Sequence, residues 1–543
     1  MKRLVTAAAL LAAALFASSA QTPSFKKGQW MEIQNDIMRS LTRYYVDSLP
    51  ADRMYTAAIN EMLSQLDPYT IFVPEASKED FEMMISNSYG GIGAIIHKPG
   101  KESNVIINEP YEGSPAALAG LRCGDEIVAV DSVSVIGLTA TQATSRMKGK
   151  PGTEVVLRVK KLHPGKTPVD TAGLCDVKIT RKKIHLPDIE YCGLLSDGKT
   201  GYIYQSGFTQ GVSDEMREDI LKLKKQGMKS LVLDLRGNGG GLLDEAVKIV
   251  SLFVPKGTEV VRSKGSDGEK IYKTPADPVD EKLPLMVLVD SGSASASEIV
   301  SGALQDLDRA VIAGTRTFGK GLVQRVIPLA YNTQLKVTVS KYYTPSGRCV
   351  QARDYSHRNE DGSVGNIPDS LTHVFKTASG REVRDGGGIT PDIKIEPRKY
   401  SRTSYAAVYS GITSNYTIEY AKTHETIPAL DKFHLTDEDY AAFVEWAAEQ
   451  KFDARSESET YLDLLKEEME EDGEMDDDAK AAIEALEKIV KRDKKTALEK
   501  SKDILLPLIE EEIAVRYYYQ SAGIKVRLRT DYALEEALKA WKR

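Results

Sequence analysis

Ser293, Ser295 and Ser297 stand two residues apart in the run Ser291-Gly292-Ser293-Ala294-Ser295-Ala296-Ser297-Glu298. A serine hydroxyl becomes a nucleophile only when a base takes its proton. None of the seven histidines lies in this run or in the glycine-rich run below. A lysine does follow, in Thr317-Phe318-Gly319-Lys320-Gly321, and serine paired with lysine is a known variant of the serine–histidine arrangement. A free lysine is charged at neutral pH, so Lys320 must be desolvated before it can accept a proton. Its neighbours Phe318, Gly319, Gly321, Leu322 and Val323 carry no charge, which suits burial. A third stretch is Leu233-Asp234-Leu235-Arg236-Gly237-Asn238-Gly239-Gly240-Gly241. It lacks the Gly-Lys-Ser/Thr ending of a phosphate loop, and its better use is to donate backbone N–H groups to a tetrahedral oxyanion. Each run has a bland reading too. Serines cap helices or sit on their faces, and lysines in glycine turns are usually just solvated.

These groups need elements to aim them. The apolar stretch Leu285–Val289 reads as a strand that runs into the serines, and the serines open a helix. A helix N-terminus offers unpaired N–H groups and a positive dipole end to developing negative charge. The glycine-rich run follows a strand, Ser230 to Leu235, and precedes a helix, Leu243 to Phe253. Further strand-like runs are 201–204, 310–313 and 334–339, and 213–226 is helical. This alternation predicts an α/β core over residues 170–400, a sheet with helices packed on it. Residues 89–165 read as a compact β-rich domain, with a short helix at Ser114–Leu121 closed by Gly120. The N-terminal segment, 21–88, is helical. Ile33, Ile37, Leu41 and Tyr44 recur at helical spacing, as do Ala57, Ile59, Met62 and Leu66. Residues 401–543 are helix-rich and charged. Ile483, Leu486, Ile489 and Val490 form an apolar stripe there, and the acidic run 467–478 lacks the spacing of a calcium loop.

Taken together, SASASEIVSGALQD, TRTFGKGLVQ, LDLRGNGGGLL and Leu66-Asp67-Pro68-Tyr69-Thr70 resemble the carboxy-terminal processing (tail-specific) proteases, over roughly residues 30–395. The segment around Tyr89-Gly90-Gly91-Ile92-Gly93-Ala94 resembles a PDZ domain. The resemblance implies a mixed α/β, multidomain chain with a crotonase-like protease core. It implies Ser295 as nucleophile, with Ser293 and Ser297 structural, Lys320 as general base and Gln324 joining the dyad. Gly241 and Ala296 would supply the oxyanion hole, Gly240 the turn beside it, and Asp306 a supporting role. Asn238 and Arg236 would hold the loop. In the PDZ segment, Gly91, Ile92, Gly93 and Ala94 would receive a peptide's terminal carboxylate. Lys148 stands where many relatives carry an arginine. The helical N-terminal segment would support dimerisation. No metal and no cofactor is implied.

Composition narrows the field further. A chain of 543 residues predicts three to four domains. Its formal charge of −7 argues against nucleic acid. Lys2 and Arg3, the apolar run Leu4–Phe16 and the small residues Ala17-Ser18-Ser19-Ala20 read as a cleavable export signal over 1–20, too short for the roughly 20-residue span of a membrane helix. Export to a periplasm follows, since the family is common in Gram-negative bacteria. The cysteines Cys123, Cys175, Cys192 and Cys349 form no C-x-x-C pair. Either Cys175 joins Cys192 or all four are free thiols. The reading is an exported serine endopeptidase that cuts proteins near exposed apolar C-termini, recruited or gated by the PDZ segment. A catalytically inactive PDZ scaffold and an acyl-CoA enzyme are the competing readings. The intact Ser295, Lys320 and Gln324 stand against both.

Overall fold

The computed structural model describes residues 23–99, 103–165, 167–491 and 493–541. The basic, apolar and small-residue run of 1–20 lies outside them. The described chain falls into two compact units that divide after Phe72. In the first, two helices, α1 (Pro23–Tyr44) and α2 (Ala51–Ser64), carry the expected apolar spacing. Ile33, Ile37, Tyr44 and Met62 are nevertheless exposed, and Leu63 is the buried residue of α2. Helical periodicity reports a shared face, and the face is covered only if something packs on it.

The second unit begins with a small antiparallel sheet in the order β1 (Ala94–His97), β2 (Val105–Pro110), β3 (Glu126–Val130), β4 (Glu154–Lys160) and β5 (Leu174–Thr180). Helix α3 (Ala140–Met147) belongs to the same domain. It is opened by a capping box between Thr139 and Gln142. Ile107, Ile127, Met147, Val155 and Leu157 form the core of this domain. The expected boundary at 165 falls inside it. Leu174–Thr180 pairs along the whole of β4, and Lys182–His185 pairs with Ser88–Gly91. Pairing partners are not written in a sequence, so nothing within Leu174–Thr180 itself tells which sheet it joins.

The core sheet has six strands in the order β6 (Ile189–Leu194), β7 (Thr200–Gln205), β8 (Ser230–Asp234), β9 (Leu285–Val289), β10 (Val311–Gly314) and β13 (Ile393–Lys394). Only the β6–β7 pairing is antiparallel. Between these strands run α4 (Val212–Lys225), α5 (Leu243–Ser251) and α6 (Ala296–Asp306), and a separate sheet holds β11 (Leu322–Pro328) and β12 (Gln334–Tyr343). Every residue of β9, Leu-Met-Val-Leu-Val, is buried. That is the continuous apolar run expected of a parallel strand covered on both faces. Alternate residues, such as Leu233, Val287 and Ile312, face α4, α5 and α6.

The other face is covered by the C-terminal region. Tyr202, Val232, Met286, Leu288 and Ala313 pack with Ile524 of α7 (Lys502–Arg527) and with Leu534 and Ala537 of α8 (Tyr532–Trp541). Helix α7 leaves helical geometry at Tyr518 and Tyr519. The expected stripe in Asp477–Val490 is mostly outward. Ile483 is buried, while Leu486 and Ile489 are exposed. The acidic run ends one helix at Glu471, and Asp476 caps the next by accepting the Ala479 N–H at 2.8 Å. The four cysteines are free thiols. Among the described residues no helix is long and apolar enough to cross a membrane.

Candidate active site

Strands β8 and β9 are parallel neighbours, with Leu233 beside Val287 and Asp234 beside Leu288. Their C-terminal ends therefore lie side by side. The glycine-rich run leaves one end and the serine run leaves the other, so two loops far apart in sequence meet at one sheet edge. Asp290 ties them together. Its Oδ1 accepts the N–H groups of Gly237 (2.8 Å), Gly292 (2.9 Å) and Ser293 (3.1 Å).

The three serines now separate. Ser293 is fully buried and donates to the Leu235 carbonyl at 2.7 Å, while accepting the Asp290 N–H at 2.9 Å. Ser297 is fully buried and donates to the Asn238 carbonyl at 2.8 Å. Ser297 lies on α6 and Ser293 precedes its cap position, and both hydroxyls pin the glycine-rich loop. Ser295 itself occupies the cap position of α6 and is half-buried, with φ +57° and ψ −110°. Positive φ is uncommon for a residue with a Cβ and costs about 1–3 kcal/mol. The surrounding hydrogen bonds hold it there. Ser295 N–H donates to Glu298 Oε2 at 2.9 Å, and the buried Tyr342 hydroxyl donates to the Ser295 carbonyl at 3.1 Å.

The glycine-rich loop lies directly against Ser295. Asn238 organises it, donating from Nδ2 to the Gln205 carbonyl (2.8 Å) and accepting the Gly240 N–H on Oδ1 (2.9 Å). The Ala294 N–H also reaches the Asn238 carbonyl at 3.0 Å. Gly240 has φ +98°, and a Cβ there would lie 2.8 Å from Ser295 Cβ and 2.9 Å from Ala296 N. A Cβ on Gly241 would meet the Phe208 carbonyl oxygen at 2.5 Å. Glycine is thus required by contact as well as by backbone angle. Ala296 is the first residue of α6, so its N–H is one that a helix cannot satisfy internally.

Lys320 is half-buried in a loop whose backbone donors are all committed. Phe318 N–H reaches the Ser293 carbonyl at 3.0 Å, and Gly321 N–H reaches Gln351 Oε1 at 2.7 Å. Between them, Gly319 and Lys320 donate to Glu298 Oε1 (2.7 Å) and Oε2 (2.8 Å). The uncharged surroundings expected from sequence neighbours need correction. Phe318 is exposed, and a carboxylate lies beneath the loop. Glu298 is fully buried and takes a fourth bond from Thr317 Oγ1 at 2.6 Å. Burial pushes its pKa up, and the four donors pull against that. One oxygen of Glu298 therefore receives the backbone N–H of both Ser295 and Lys320. Glu298 was missed in the sequence, although Ser-x-x-Glu is capping-box spacing. Asp290 carried no such signal.

The remaining site residues sit as follows. Gln324 lies on β11, and its Nε2 donates to Thr338 Oγ1 at 3.2 Å. Asp306 is at the far end of α6 from Ser295. It forms a buried ion pair with Arg348 at 2.7 Å and accepts the Ser346 N–H at 3.0 Å, so its support is to the scaffold. In the small domain, β1 is an edge strand. The carbonyls of Ile92 and Gly93 accept from Ala116 (2.8 Å) and Tyr111 (2.9 Å). A trans peptide points its N–H opposite its C=O, so the Gly93 and Ala94 N–H groups face away from those partners. Lys148 pairs with Asp80 at 3.1 Å.

Residues 199–356 match the family model described as peptidase family S41. A PDZ domain model matches residues 106–161, and a model described as a probable PDZ-protease C-terminal helical domain matches 404–540. A probable CtpA-like serine protease of Staphylococcus aureus (strain bovine RF122 / ET3-1) is 37% identical over 326 residues, covering 59% of this chain and 62% of the relative. The chain thus spans less than two thirds of that relative's length. A photosystem II D1 C-terminal processing protease structure is 27% identical, covers 70% of this chain and 89% of its own, and has a TM-score of 0.37. A peptide-bound PDZ domain of a carboxy-terminal protease from Vibrio cholerae is 33% identical, covers 18% of this chain and 99% of its own, and has a TM-score of 0.16.

Proposed function

We propose that this chain is a serine endopeptidase in which Ser295 attacks the scissile carbonyl and Lys320, as the neutral amine, takes its proton. The observation that carries this reading is the sorting of the serines. Ser293 and Ser297 are buried with their hydroxyls on loop carbonyls, whereas Ser295 is half-buried at a helix N-terminus in a strained turn. In this reading the oxyanion forms against the Gly241 and Ala296 N–H groups, where fixed donors stabilise charge only as it develops. The lysine then returns the proton to the leaving amine. Water repeats the sequence on the acyl-enzyme. Gln324 orients the lysine amine in this scheme.

The PDZ domain recruits or gates substrate in this proposal, by adding an apolar C-terminal peptide along the open edge of β1 with its carboxylate at the Gly91–Ala94 loop. The helices of residues 23–64, whose apolar side chains are exposed, support a dimer. Export to the periplasm rests on the pattern of residues 1–20. The test is incubation of the purified chain with an unfolded protein. The wild type should cleave it, Ser295→Ala should not, and Lys320→Arg, which keeps the charge but cannot give it up, should lose at least 100-fold. Cleavage by folded Ser295→Ala at the wild-type rate would end the proposal.

A further inference from the structure

The glycine-rich loop is rooted at Arg236, and the root is held from the far end of the chain. The Arg236 guanidinium donates through Nε to both oxygens of Asp234, at 3.0 and 2.9 Å. It then reaches Asp531, with Nη1 to Oδ1 at 3.1 Å and Nη2 to Oδ2 at 2.6 Å. Asp234 is fully buried and takes a further bond from the Tyr202 hydroxyl. Asp531 Oδ1 also accepts the Leu534 N–H at 3.0 Å, which caps α8. Two hydrogen bonds between planar groups fix orientation as well as distance. From Arg236 the chain passes Gly237, held by Asp290, and reaches Gly240 against Ser295 within four residues.

We propose that Asp531 is a positioning residue for the oxyanion loop, so that the C-terminal helices set the geometry of the protease site. This rests on the peptidase reading above. Asp234 already supplies Arg236 with a counter-charge, so the second carboxylate is not needed for neutrality. What it adds is direction: it stretches the guanidinium between a strand end and a helix cap. Both α8 and the sheet face it covers are fixed by Leu534 and Ala537. The clamp is thus anchored at both ends, and a loop that must hold N–H donors to within a fraction of an ångström gains a rigid base.

The test compares Asp531→Asn and Asp531→Glu with the wild type in the full-length chain, using a cleavable peptide and a phosphonate reagent that labels Ser295. Asp531→Asn should lower kcat about 10- to 100-fold. KM should stay within about twofold. Phosphonate labelling should slow in step with kcat, and the melting temperature should change little. Asp531→Glu, which keeps the charge, should recover most of kcat. Unchanged kcat in Asp531→Asn would overturn the proposal, as would a loss that follows only the folded fraction. If Asp531→Asn does not fold, Arg236→Lys serves from the other side, because lysine cannot bridge two carboxylates in that plane. Full kcat in that variant would also overturn it. Wild-type chain that neither cleaves nor labels at Ser295 points instead to failure of the peptidase reading.

Discussion

Glu298 is a buried acid with four donors converging on two oxygens: the N–H groups of Ser295, Gly319 and Lys320 and the Thr317 hydroxyl. A carboxylate accepts at both oxygens, and an amide accepts at only one. Glu298→Gln therefore keeps the shape and sets an NH2 group against one pair of donors. Each buried donor left unpaired costs about 1–3 kcal/mol, and the pair affected either fixes Ser295 and Lys320 or fixes the loop beside them. The expected outcome is a stability loss of about 2–4 kcal/mol by urea unfolding, with kcat of the folded fraction down by at least tenfold. Wild-type kcat and stability in that variant would show that the carboxylate positions nothing. Gly240→Ala tests the same packing from the opposite loop. Its new Cβ would press on Ser295 Cβ at 2.8 Å in a left-handed backbone. Activity should be lost while α6 remains formed by circular dichroism.

At the scale of elements, β2 of the PDZ domain and α7 each carry a shielded carboxyl, Glu109 buried and Glu511 half-buried. Burial pushes Glu109 up to about 7, helped by Glu190 and opposed by the Gln520 N–H and by Arg516. Burial likewise pushes Glu511 up to about 7, helped by Glu512 and Asp531 and opposed by Arg527. Both folded-state values lie above the ordinary value of about 4.3 in an unfolded chain. The folded state therefore holds these protons more tightly, and their contribution to stability is present at acid pH and lost as pH rises from about 4.5 to about 7. Glu109→Gln, which cannot ionise, should remove part of that loss. Between pH 5 and pH 8, the fall in stability should be smaller in the variant than in the wild type by about 1–3 kcal/mol. Parallel pH curves from urea unfolding of the two proteins would contradict it.

For the whole molecule, the C-terminal region is a layer of the fold. Tyr202, Val232, Met286, Leu288 and Ala313 are buried on the sheet face that α7 and α8 cover. Ending the chain before Lys502 would open that face to water, and exposed apolar area of this size destabilises at about 25 cal/mol per Å². It would also remove Asp531. The truncated chain should be insoluble or inactive even though Ser295, Lys320 and the glycine-rich loop all remain. A soluble truncation that cleaves at the wild-type rate would show that the layer is dispensable.

The sequence alone determined the local parts of this protein. Leu285–Val289 is apolar at every position, so it could only be a fully covered strand or buried helix, and the serines after it could only open the next element. The triple glycine at 239–241 announced a close backbone approach. What the sequence could not express is which distant segments share a surface. Leu174–Thr180 joined the small sheet because of pairing along β4. Ile37 and Ile489 kept helical spacing yet face solvent. Glu298 showed capping spacing, but its bonds to Gly319 and Lys320 depend on a loop about twenty residues away. Asp531 is 295 positions from Arg236, and nothing in its own neighbourhood announces the pairing. Periodicity and turn chemistry are set by adjacent residues, so they can be read along the chain. The burial of an acid, the partners of the Ser293 and Ser297 hydroxyls and the second layer on the sheet are set by packing between segments, and only the tertiary structure decides them.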